Sequence, residues 1–381
     1  MARDDAGYTL VELIVVVTIF SIVMTLISVS FNRIAASSGR IAKSVETDIG
    51  GLIGLELMRI DLGLAGFGLP WSLGGALYSG EAKTHLVDGN AETDAASFND
   101  GSDRPPRAFV LKKDKGYHGS DYLVLKGSAL GMNGTARGWS YLNYSSNGAV
   151  AKASKSEVEL EPGKGDRVIV LNSAVRGGAA ARELVTNGSS FYLAFDEKDE
   201  LPSPFRPRGR EDHYLVYGIA PAPVPGDDND LVTFPFNRAD YYIGPPTDPE
   251  KISSHCAPGT GVLYRGQVSQ KGNFKAFPIL DCVADLQVMF INGDGVATDI
   301  DFPGDAARSI REEVKEVRVY LLVQEGKKDA GYSYPVAEPN RALVVGDRVW
   351  KQAEVLDTFG PDWIHFHWKL YTIAVQPKNL D

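Results

Sequence analysis

The stretch Gly7-Tyr8-Thr9-Leu10-Val11-Glu12, with the apolar run from Leu13 to Phe31 behind it, decides how the rest of the chain is read. From Leu13 through Asn32 there are twenty residues without a charge. As a helix rising about 1.5 Å per residue, such a run spans about 30 Å, the hydrocarbon thickness of a bilayer, so a transmembrane helix over residues 13–32 is expected. Glu12 stands at its leading edge, where a carboxylate in hydrocarbon costs on the order of 2.5 to 3.5 kcal/mol and needs a partner. Cleavage after Gly7 supplies one. The new amine on Tyr8 then lies one helical turn from Glu12, at the i to i+4 spacing. In a bundle of staggered copies, Glu12 of one subunit equally neutralises the Tyr8 amine of another.

An ordinary secretory signal has its cleavage site after the apolar core, at small residues. Here the core runs into Val29-Ser30-Phe31-Asn32, with bulky Phe31 and Asn32 in place of a small pair. The segment Gly-Tyr-Thr-Leu-Val-Glu-Leu-Ile-Val-Val-Val resembles the type IV prepilin signature, with Tyr8 standing where Phe is usual. The resemblance implies cleavage after Gly7 by a prepilin peptidase, N-methylation of Tyr8 and use of Glu12 in subunit docking. It divides the chain into a leader over 1–7, a pilin helix over 8–68 and a β-rich globular domain over 69–381. The helix would sit in inner-membrane lipid until assembly, with the domain periplasmic and later on the cell surface. Flanking charge points the other way: Arg3 is offset by Asp4 and Asp5 while Arg33, Arg40 and Lys43 follow the helix, which favours a cytoplasmic domain. The motif takes precedence over the charge count.

The helical period continues beyond the membrane run. Ile41, Val45, Ile49, Leu52, Ile53, Leu57, Ile60 and Leu64 recur at spacings of three and four, an apolar stripe that packs on a core. A continuous helix from Tyr8 to Leu64 would be about 85 Å long. Gly39, Gly50, Gly51 and Gly54 favour a bend along it, and Gly66, Gly68 and Pro70 end it. The segment Leu55-Glu56-Leu57-Met58-Arg59-Ile60-Asp61-Leu62-Gly63-Leu64-Ala65-Gly66-Phe67 resembles the end of the long helix in PilW-type minor pilins, and less closely that of GspJ-type pseudopilins, where Arg and Asp are adjacent.

At 381 residues, with a net charge of -10, the chain is large enough for a sizeable core and exerts no general pull on nucleic acid. Cys256 and Cys282 are its two cysteines. In an oxidising compartment their pairing would stabilise the fold by about 3 kcal/mol; the alternative is two buried thiols.

Leu69 to Pro106 reads as loop. Short β-like runs follow at Ala108–Lys112, Asp121–Lys126, Arg167–Leu171, Phe191–Phe195, His213–Ile219 and Leu231–Phe236. Whether the middle of the chain holds an inserted lobe is open at this level. The last third reads as four strands of one antiparallel sheet, Gly261–Gly266, Pro278–Ile291, Val314–Gln324 and Trp368–Val375. In the third of these Val317, Val319, Leu321 and Val323 alternate with Arg318 and Tyr320. The Leu263-Tyr264-Arg265 strand and those after it also resemble PilW-type proteins, with a degraded closing motif at Tyr371 to Asn379. The expected fold is therefore α+β and type IV pilin-like, a long amino-terminal helix packed on a mostly antiparallel sheet.

Catalytic constellations are not found: there is no Walker loop, no Gly-x-Ser-x-Gly elbow and no His-Glu-x-x-His. His365 and His367 fit an aromatic strand better than a metal site. Asn292, Asp294, Asp299 and Asp301 offer hard oxygens of the kind calcium prefers, yet Asn-Gly-Asp-Gly is first of all a turn. Asp227, Asp228 and Asp230 form a similar acidic turn. No cofactor and no enzymatic activity are expected. The resemblance implies a structural minor pilin of a type IV pilus, placed in a priming or tip complex with other minor pilins and the major pilin. The alternatives are a GspJ-type secretion pseudopilin, or an adhesin or DNA-capture module mounted on a pilin helix; a basic, aromatic-interleaved face for DNA is lacking.

Overall fold

The computed structural model describes residues 52–87, 91–144, 151–152, 163, 165–173, 175–176, 179–180, 182–195, 201–209, 212–223, 231–245, 256–300, 305–336 and 338–380, with helical positions at 10, 14, 18–21 and 24. The chain divides into two compact units, Met1–Ile49 and Gly50–Asp381.

In the first unit the described positions are helical, and Thr18 donates its hydroxyl to the carbonyl of Ile14 at 2.8 Å, a local i to i−4 bond. Leu10, Ile14, Ile19, Phe20 and Met24 are all exposed. Five large apolar side chains at these helical positions are not stable facing water.

The second unit begins with helix α1 over 52–64. The buried face is a correction to the expected stripe: Leu55, Met58 and Leu62, spaced three and four apart, are buried with Ala65 just beyond, whereas Leu52, Ile53 and Ile60 are exposed, Leu57 and Leu64 are half-buried, and Glu56 and Arg59 pair on the outer face at 2.5 Å. The helix stops at a turn over 65–68, where Gly66 (φ 82°) and Gly68 (φ 66°) take the left-handed backbone conformation that a side chain resists.

The main strands, in chain order, are β1 (Phe109–Lys112), β2 (Tyr122–Gly127), β3 (Trp139–Asn143), β4 (Arg167–Asn172), β5 (Tyr214–Ala220), β6 (Asn237–Gly244), β7 (Gly261–Val268), β8 (Phe274–Ile291), β9 (Glu316–Glu325) and β10 (His367–Val375). They form two antiparallel sheets. The larger runs β1-β2-β6-β7-β8-β9-β10, with the short strand Ala297–Thr298 beside β8. The smaller centres on β3-β5-β4, in the part of the chain whose organisation the sequence leaves open.

The larger sheet is covered on both faces, which explains why β2 and β6 are buried at every residue instead of alternating. On one face α1, Leu123, Leu125, Leu286 and Val319 share a core with Ile169 and Ile219 of the smaller sheet. On the other, Phe98, Tyr122, Tyr242 and Tyr264 stack in succession at ring distances of 4.3, 5.2 and 5.5 Å. Farther along that face, helix α3 (Gln352–Phe359; α2 is Ala306–Glu313) brings Val355 and Phe359 against Trp350, Trp363 and Leu322.

The four carboxy-terminal strands lie in the expected order, and Val317, Val319, Leu321 and Val323 are buried on β9. Leu231–Phe236 is a correction. It is not a strand but a bend that drops Val232, Phe234 and Phe236 into the core, and the strand is the next segment, Asn237–Gly244. That strand carries Arg238 and Asp240 fully buried against each other and their neighbours, so its pattern does not read as apolar. Phe191–Phe195 contracts to a two-residue strand, Leu193–Ala194.

Candidate functional site

Gly7, Tyr8 and Glu12 lie outside the described residues, as does most of the expected membrane segment 13–32. Among the described residues no helix is long and apolar enough to cross a membrane. What the structure does place is the seat of the helix end on the sheet.

That seat is built around Asp61. Its Oδ2 accepts from Arg265 Nε of β7 at 2.7 Å and from the Tyr241 hydroxyl of β6 at 2.8 Å. Arg265 also donates through Nη2 to Leu130 O at 2.7 Å and through Nη1 to Gln267 Oε1 at 2.9 Å. Asp61 and Arg265 are both buried, so each depends on the other for its charge. Burial alone would lower the Arg265 pKa, but the Asp61 carboxylate wins and holds it above the usual guanidinium value. The phenol of Tyr241 is pushed up by burial and by the same carboxylate. Around this pair the backbone comes close: Gly66 N donates to Lys126 O at 2.9 Å, and Asn379 Nδ2 donates to Gly63 O at 2.8 Å, giving one of the open carbonyls of the helix end a partner. Gly54 lies so near the Ile279 carbonyl that a Cβ there has no room.

A second buried ionic cluster fastens the segment read as loop. Lys126 Nζ of β2 contacts Glu81 and Asp100 at 2.6 Å each. Arg238 of β6 grips Asp240 with both ends of its fork at 2.7 Å and reaches Glu81 at 3.2 Å. Arg107 closes the set on Asp100 at 2.5 Å. Three cations meet three carboxylates, with Asn99 Oδ1 and the Tyr122 hydroxyl filling the remaining hydrogen bonds. These residues come from far-apart positions, and only their charge within otherwise apolar or loop segments hints at them.

Cys256 and Cys282 are joined by a disulfide with Cα atoms 5.1 Å apart. Cys282 has a positive φ of 56° and sits where the pairing of β8 with its neighbours slips, a bulge that turns the strand.

At the acidic turn, Asn292 Oδ1 accepts from the backbone N–H groups of Asp294 and Val296 at 3.0 Å each, so its side chain serves the turn between β8 and Ala297–Thr298. Asp301 lies outside the described residues, as do Asp227, Asp228 and Asp230. His365 Nδ1 is hydrogen-bonded to Tyr332 O at 2.7 Å and the His367 ring stacks on Tyr332 at 3.8 Å, so the two imidazoles are engaged locally. An open groove of about 790 Å³ runs between the end of β5 and the β7–β8 hairpin, past Met132, Lys271, Lys275 and Phe277. Among the described residues no His, Cys, Asp or Glu lines it, and its titratable groups are Lys271 and Lys275.

Residues 2–28 match the family model of the prokaryotic N-terminal methylation motif. A search of curated proteins and a search of solved structures each found no match to the chain. The matched segment contains Gly7, Tyr8 and Glu12, and it marks the chain as a type IV pilin-type substrate for amino-terminal processing and methylation, of pilin or pseudopilin kind.

Proposed function

We propose that the chain is a minor pilin of the PilW type, a structural protein and not an enzyme. A prepilin peptidase removes Met1 to Gly7, Tyr8 is methylated, and the mature protein waits in inner-membrane lipid with its large domain on the periplasmic side. It then enters a type IV pilus, in the priming or tip complex with other minor pilins and the major pilin. The observation that carries this reading is the methylation motif over residues 2–28, with a carboxylate at position 12 and an uncharged run after it.

The mechanism is mechanical and electrostatic. Exposed Leu10, Ile14, Ile19, Phe20 and Met24 need lipid or other helices around them, and exchanging the first for the second is incorporation. In that apolar setting Glu12 is stable only opposite a cation, which the Tyr8 amine of a neighbour provides, so the pair fixes axial register. A globular part of more than 300 residues crowds a tightly wound filament and suits a low-abundance position. Glu12→Ala is expected to leave membrane insertion intact and to abolish incorporation into sheared pili; normal pilus levels of the variant would count against the reading.

A further inference from the structure

Three buried or half-buried arginines are satisfied inside the protein: Arg238 by Asp240 and Glu81, Arg265 by Asp61, and Arg348 by the carbonyls of Gly119 and His118. Arg311 is different. It sits on α2, whose Ala307 and Ile310 are buried and fix the helix, and its guanidinium lies over the indole of Trp71 at 4.9 Å. Among the described residues it makes no hydrogen bond and no ion pair. Arg182 lies over the same ring at 4.5 Å, anchored through Nη1 to Asn379 O at 3.3 Å and through its own carbonyl to Trp71 N at 2.8 Å. Two cations thus share one indole, each gaining from the ring's negative face.

We propose that Arg311 and Arg182, held over Trp71, form a docking site for a carboxylate presented by an acidic side chain of a partner protein. A guanidinium carries five N–H donors in a planar fork that matches a carboxylate with two parallel hydrogen bonds. The Trp71 ring holds the Arg311 guanidinium at 4.9 Å, so less freedom is lost when a ligand arrives. Half-burial also strips water from this cation and lowers its pKa, and Arg182 adds to the effect, while Asp305 and Glu312 oppose it; a counter-ion relieves both costs. The same two carboxylates on α2 favour a singly charged anion over a phosphate dianion. Trp71, Arg182 and Arg311 are half-exposed and none of them lines the groove. A carboxylate carried on a protein surface brings a wider contact with it, which is why the occupant is an acidic side chain. The proposal does not depend on amino-terminal processing.

The test is a titration of the full-length chain in detergent, with arginine side chains labelled with nitrogen-15 and the Nε–H signals of Arg311 and Arg182 assigned through Arg311→Lys and Arg182→Lys. The probes are a short blocked peptide with adjacent glutamates, the same peptide with glutamines, and inorganic phosphate at equal ionic strength. The expected result is a saturating shift of both signals with the glutamate peptide, about tenfold or more weaker with the glutamine peptide and with phosphate. Arg308, already paired with Glu312 at 2.7 Å, should not saturate. Arg311→Lys should abolish the Arg182 response, and Trp71→Leu, which keeps both charges, should weaken it; thermal melting of each variant reports that the fold is intact. A non-saturating Arg311 signal, a tighter response to phosphate, or an undiminished Arg182 response in Arg311→Lys would each overturn the proposal.

Discussion

Arg265 of β7 and Asp61 of α1, separated by 204 positions in the chain, meet at 2.7 Å in a buried ion pair that joins the end of the helix to the middle of the sheet. Removing one partner leaves the other charged without a counter-ion in a dry setting. Asp61→Ala should therefore cost about 3 to 5 kcal/mol, seen as a large fall in the midpoint of chemical unfolding. The double change Asp61→Leu with Arg265→Met should cost clearly less than Asp61→Ala alone; equal costs would mean the pair contributes packing and not charge compensation.

Lys126 is the hub of the second cluster, facing both Glu81 and Asp100. Lys126→Met keeps the stem but strands two carboxylates, with an expected loss of about 3 to 5 kcal/mol. Because Glu81 and Asp100 belong to a segment whose regular structure, among the described residues, is two short 3-10 helices (Ala91–Thr93 and Ala95–Phe98), limited proteolysis of this variant should cut first between residues 69 and 106. Cleavage elsewhere first would show that the cluster does not fasten this segment.

These two ionic clusters mark the limit of what the sequence discloses. The β9 alternation is legible because each residue's environment follows from its neighbours along the chain, with Val317, Val319 and Leu321 repeating at strand spacing. On α1 the helical period is legible but not the buried face, since Leu52, Ile53 and Ile60 repeat as well as Leu55, Met58 and Leu62 do, and only the sheet decides between them. Asn237–Gly244 is not legible, since Arg238 and Asp240 are compatible with a buried strand only once Glu81 and Tyr122 are known to face them. The Leu69–Pro106 stretch reads as loop for the same reason: its Phe98, Glu81 and Asp100 become core only against β2 and β6. Asp61 and Arg265 were each noticed in separate motifs, yet pattern along the chain cannot bring them together.

Asp121 gives a pH signature. Burial pushes its carboxyl up to about 7, against the pull of the backbone N–H groups of Asp114 and Val288. The unfolded chain loses this proton near pH 3.9, whereas the folded one keeps it for longer. Stability from this group is therefore highest below about pH 4, declines as pH rises and levels off above about 7, a span on the order of 4 kcal/mol at about 1.4 kcal/mol per unit. Burial raises Asp285 in the same sense. Asp100 works oppositely: burial raises it, but Lys126 and Arg107 together hold it below the ordinary carboxylate range. Melting temperatures of wild type and Asp121→Asn between pH 4 and 8 isolate the one contribution. The variant's advantage should grow with pH, and parallel curves would contradict the assignment.

The Cys256–Cys282 bond closes a loop of 26 residues' separation and pins the bulged turn of β8. Replacing both cysteines by alanine should cost about 3 kcal/mol through the freer unfolded chain. Reductant should lower the melting temperature of the wild type to near that of the double variant and leave the variant unmoved.

The most direct measurement is intact-mass and amino-terminal peptide mass spectrometry of the protein purified from its native membrane or pili. The account predicts a polypeptide that starts at Tyr8 and carries one methyl group on its amine, with Met1 to Gly7 gone. A chain that still begins at Met1, unmethylated, in cells with active processing of other pilins, would contradict it.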